Sequence, residues 1–77
     1  MSKESSQVKI GECDVGDMCY MVVKQFNKPL YGEIVRVIES ESAIMIMTDI
    51  DGFRTGLVEN CFWKESDAKE HRKSIKK

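Results

Sequence analysis

Seventy-seven residues leave room for one hydrophobic core and no second domain. With 42% apolar and 32% charged residues, the composition is that of a soluble globular chain rather than a disordered or membrane-embedded one. The formal charge of −1 hides a division: residues 1 to 65 carry 7 basic and 11 acidic side chains, net −4, whereas residues 66 to 77 carry 5 basic (Lys69, Arg72, Lys73, Lys76, Lys77) and 2 acidic (Asp67, Glu70), net +3.

Size also bears on function. Small domains bury only about 60% of the surface of their unfolded chains, so walling off a deep active site would use apolar residues that folding needs. The longest apolar run, Met18 to Val23, is too short to cross a bilayer, and residues 1 to 7 lack a signal-peptide core, so a cytoplasmic location is the expectation. Cys13, Cys19 and Cys61 are an odd number of cysteines in such a chain, and reduced thiols follow.

In chain order, residues 1 to 7 are polar and without periodicity, which predicts disorder unless a partner holds them. Residues 8 to 65 carry the fold. Val15-Gly16-Asp17 reads as a turn into a first strand over Met18 to Lys24, with Cys19, Met21 and Val23 on one face and Met18, Tyr20 and Val22 on the other. Asn27 and Pro29 mark a loop, and Tyr31 to Glu39 follows as a long second strand bent at Gly32. Ser40-Glu41-Ser42 connects to a third strand, Ala43 to Thr48, in which Ile44 and Ile46 alternate with Met45 and Met47. Asp51-Gly52 between two strand-like runs is a hairpin signal, because glycine accepts the positive φ of a tight turn. Phe53 to Leu57 returns, Val58-Glu59-Asn60 has the length of one helical turn, and Cys61 to Glu65 closes. Residues 66 to 77 are a charged basic tail, predicted to form a short, frayed helix capped by Ser66 or Asp67 with Glu70.

Gly16-Asp17-x-Cys19-x-Met21, Gly32-x-Ile34-x-x-Val37 and the five-strand order resemble the SH3-like small barrels of the KOW and Tudor groups over residues 14 to 65. The resemblance implies a mainly β fold, a single five-stranded SH3-like barrel with a short C-terminal helix. It also implies a surface that binds RNA, DNA, methylated peptides or other proteins.

Each candidate site has a plain structural alternative. Cys13, Cys19, Cys61 and His71 have the ligand types of a zinc site, but no Cys-x-x-Cys pair exists and Cys19 belongs in the core, so no metal is expected. Asp49 and Asp51 suggest part of a calcium loop, yet that alignment puts Met47 and Val58 where oxygen ligands are required. The single histidine lies in the tail, and no serine or cysteine is paired with a base, so neither catalytic residues nor a cofactor are expected. Of six aromatic rings, Phe53 and one of Phe62 or Trp63 are assigned to the core, leaving Tyr20, Phe26 and Tyr31 for the surface. Met45 and Met47 point outward as an adaptable apolar patch.

These readings predict a non-catalytic protein-binding module, an adaptor or regulator acting through Met45, Met47, Tyr20, Phe26 and Tyr31 on another protein or a second copy of itself. The alternative is a barrel that binds RNA or single-stranded DNA through Lys69, Arg72, Lys73, Lys76 and Lys77 with stacking rings. No membrane partner is expected.

Overall fold

A computed structural model describes residues 6–74. The fold is mainly β: strands β1 (Met18–Met21), β2 (Leu30–Ile38), β3 (Ala43–Thr48), β4 (Gly52–Leu57) and β5 (Cys61–Phe62) are followed by one helix, α1 (Glu65–Ser74). The strands form one antiparallel sheet in the order β4-β3-β2-β1-β5. Single 3-10 turns, Glu39–Glu41 and Val58–Asn60, join β2 to β3 and β4 to β5. No described helix is long and apolar enough to cross a membrane.

Period-two alternation builds the core. Cys19 and Met21 of β1, Ile34 of β2 and Ile44 and Ile46 of β3 point to one side, where Val8, Cys13, Val58 and Cys61 join them in a single buried cluster. Val22, Phe62 and Ala68 make a second cluster, with Tyr20 packed against it.

β2 carries an irregularity beyond Gly32. The register slips between Ile34 and Arg36, so Val35 is a bulge residue that turns the strand. Gly32 has a different reason to be glycine: a Cβ there would stand 2.5 Å from the Met47 carbonyl oxygen of β3. At the β3–β4 hairpin Gly52 takes φ 71°, as the Asp-Gly signal requires. Buried Thr48 braces this turn, its hydroxyl accepting from the Asp51 N–H (2.9 Å) and donating to the Gly52 carbonyl (3.2 Å).

The sheet curls but does not close into the expected barrel. Curling brings Gly56 of β4 against the Met21 side chain of β1, with two strands between them in sheet order, where a Cβ would lie 2.8 Å from the Met21 sulfur. Closure fails because β5 is only two residues long and its outer edge is already taken. Gln7 bridges to Phe62, Val8 N–H donates to the Cys61 carbonyl (2.9 Å), and Trp63 N–H donates to the Ser6 carbonyl (2.8 Å). The last two residues of the polar N-terminal stretch are thus held by the same chain.

β5 is shorter than the sequence suggests because α1 starts at Glu65. Ser66 and Asp67 lie inside the helix rather than capping it, and Asp67 Oδ2 instead accepts the Ser6 N–H at 2.9 Å. Nor does the helix lie loose over its described length. Ala68 is fully buried against Val22 and Phe62, its small side chain allowing close approach of helix to sheet.

Candidate interaction face of the sheet

Directly opposed residues in antiparallel strands share a face. The registers Met18↔Glu33, Glu33↔Met47 and Met47↔Phe53 therefore draw one row across β1, β2, β3 and β4 on the side away from the core. Tyr20 and Tyr31 are opposed on the same side, their ring centroids 4.7 Å apart. Two residues along from Phe53, Thr55 pairs with Met45, and Leu57 follows at the end of β4.

Exposure on this face is unusual for a small domain. Met18, Tyr31, Met47, Phe53 and Leu57 are five of the seven large exposed hydrophobic residues among those described, and Phe53 keeps 64% of its surface in water. Methionine side chains adapt to irregular contacts, while the rings offer large contact area at little cost in rotamer entropy. Glu33 stands in the middle of the row, its charge bordered by Met18 and Met47.

Of the residues the sequence pointed to, Met45, Met47, Tyr20 and Tyr31 fall on this face, with Met45 and Tyr20 half-buried. Phe26 does not. It sits in the β1–β2 loop, with the Arg54 guanidinium 5.8 Å from its ring centroid and its carbonyl accepting from Arg72 Nε at 3.0 Å. Phe53, assigned to the core from sequence, is a correction: it follows the hairpin turn in register with Met47 and so points outward with it. Phe62 is buried and Trp63 packs half-buried against the core.

The basic tail is partly spent on the fold. Arg72 donates to the carbonyls of Phe26 (3.0 Å) and Lys24 (3.2 Å), clamping α1 to the β1–β2 loop, and Lys69 forms an exposed pair with Glu65 at 3.5 Å. Lys73 is exposed, and Lys76 and Lys77 lie outside the described residues.

Cys13, Cys19 and Cys61 are free and buried together. His71 is elsewhere: its ring lies 5.2 Å from that of Phe62, and Nε2 is 2.9 Å from Asn60 Oδ1. The carbonyl oxygen can only accept, so Nε2 carries the proton. Cys19 and Cys61 share a thiol hydrogen bond, which, with burial second, pushes the Cys61 thiol far above its ordinary value and favours Cys19 as the partner that ionises first. Burial, then Asp14 and Asp17, push Cys13 up as well. Among the described residues no group of three or more His, Cys, Asp or Glu side chains is arranged to hold a metal ion.

The chain matches no family model, and neither the curated proteins nor the solved structures it was compared with include a match.

Proposed function

We propose that this chain is a non-catalytic protein-binding module, an SH3-like curled sheet that presents its outer face to another protein. The single observation behind this reading is the cross-strand row Met18, Glu33, Met47, Phe53, which keeps apolar side chains in water without any covering element among the described residues. Charge selects the kind of partner. Two copies joined through this row would bring their Glu33 carboxylates together and add two bodies of net −4, so the face suits a different protein with an apolar patch and a basic side chain set against Glu33.

The test is capture from the native source with wild-type protein and with Met47→Lys/Phe53→Lys in parallel. A partner retained by the wild type and lost by the double variant, with both equally folded by circular dichroism, supports the reading. Equal retention, or a wild type that merely pairs with itself in sedimentation, rejects it.

A second reading, binding to single-stranded RNA or DNA, draws on one feature: the Arg72 clamp gathers Lys24, Arg72 and Lys73 at the β1–β2 end of the molecule. Against the negative body this predicts weak attachment that fades steeply with salt. A low-salt titration with single-stranded RNA, repeated on Lys24→Glu/Lys73→Glu at two exposed positions that leave α1 in place, separates the two.

A further inference from the structure

The unclosed edge of the sheet leaves a second concave site, away from the outer face. Between the end of β1 and the edge of β4 lies an open cavity of about 430 Å³, within the roughly 300–1,000 Å³ range of small-ligand sites. Half-buried Val23 is its accessible apolar side chain, and Met21 and Val22 beside it are buried in the core. Lys24, Gln25, Arg54 and Asn60 give it a polar rim.

Hydrogen bonding on the rim is one-sided. Asn60 Oδ1 is taken by His71 Nε2, which leaves the Asn60 amide nitrogen available. Gln25 Oε1 receives Arg54 Nη2 at 3.4 Å, which leaves the Gln25 amide nitrogen. Arg54 gives Nε to Asp51 and keeps further guanidinium donors, while no carboxylate among the described residues pairs with Lys24. The side-chain acceptors are thus satisfied within the protein and the donors are left over, two of them cationic. The backbone adds to this. Val58 N–H donates to the Ser42 carbonyl (2.8 Å), so the ladder alternation makes 44/56 and 46/54 the bonded pairs and turns the N–H and C=O of Thr55 toward the cavity.

We propose that this seam between β1 and β4 binds a carboxylate carried on a short apolar body, the acid meeting Lys24, Arg54 and the amide nitrogens while the body lies against Val23 and the β4 edge at Thr55 and Gly56. Two sources share that chemistry, a free apolar acid and the C-terminal residue of a polypeptide. The paired N–H and C=O of Thr55 favour the polypeptide terminus, whose own peptide group can bond both.

The experiment is an amide chemical-shift titration of the full chain with N-acetyl-leucine, its uncharged amide, octanoate and an octathymidylate. N-acetyl-leucine shifts Lys24, Thr55, Gly56 and Asn60, and the uncharged amide does not. Weaker shifts with octanoate assign the site to a polypeptide terminus, and equal shifts assign it to any apolar acid. Lys24→Glu, at an exposed position, weakens binding about tenfold with an unchanged unfolding midpoint, and Asn60→Asp weakens it comparably. Equal shifts from the amide, no shift from either acid at ~10 mM, or tighter binding of the octathymidylate to the same residues would overturn the proposal.

Discussion

Gly32 shows how one position can be fixed by its neighbour rather than by its own backbone angles. The atom a Cβ would strike is the Met47 carbonyl oxygen, part of the β2–β3 ladder and unable to swing aside. Gly32→Ala is therefore expected to cost about 2–3 kcal/mol, measured by urea denaturation, whereas Gly56→Ala meets only the flexible end of Met21 and costs less. The sequence marked Gly32 as necessary without showing its close approach to Met47, and a bulge at Val35 leaves no local signature in Ile34-Val35-Arg36. The cysteines were legible as buried hydrophobes, and burial sets their chemistry. Cys19 and Cys61 shift in opposite directions as a hydrogen-bonded pair and offset one another, whereas Cys13 lies above the thiol value of 9.0 in the fold, so as pH rises the unfolded chain loses that proton first. The stability Cys13 confers through its proton is whole well below pH 9.0 and is lost progressively above it. The drop in unfolding midpoint between pH 7 and about pH 10 should be larger for the wild type than for Cys13→Ala, and an equal or smaller drop would contradict the assignment.

At the level of elements, β3 and the turn after β4 could be read directly, since Ala43–Thr48 and Val58–Asn60 have the bounds that alternation and turn length indicate. The helix was harder. With Ala68 as its main apolar contact, α1 carries almost no amphipathic signal, and its docking depends on a small side chain meeting Val22 and Phe62, a tertiary fit that no period in the sequence encodes. Ala68→Asp places a charge in that contact and is expected to lower stability by about 2 kcal/mol, or roughly 10 °C in the thermal midpoint. A midpoint within a degree of wild type would show that the helix is not held by this residue. β5 was over-extended in the sequence reading for a related reason: Trp63 still bonds in strand fashion, but to Ser6, a partner 57 positions away.

For the molecule as a whole, the outer face was partly legible. The sequence placed Tyr20, Tyr31, Met45 and Met47 on the surface, but Phe53 was missed because a ring in a small chain is first assigned to the core, and only the register with Met47 shows otherwise. Exposed residues contribute little to stability, so Phe53→Lys should leave the unfolding midpoint within about 0.5 kcal/mol of wild type. It should also raise solubility at high concentration, and precipitation that worsens would argue that the ring is buried in solution. The pairing of residues 6–8 with 61–63 has a mechanical consequence. Ser6 and Trp63 are the outermost bonded residues of that short ladder, and the two chain ends leave it on the same side. A pull applied between them loads the bonds one after another like the teeth of a zip, rather than all at once in shear. In a force spectrometer the module should open at low force, shedding α1 and the N-terminal strap before the β1–β4 meander feels any tension.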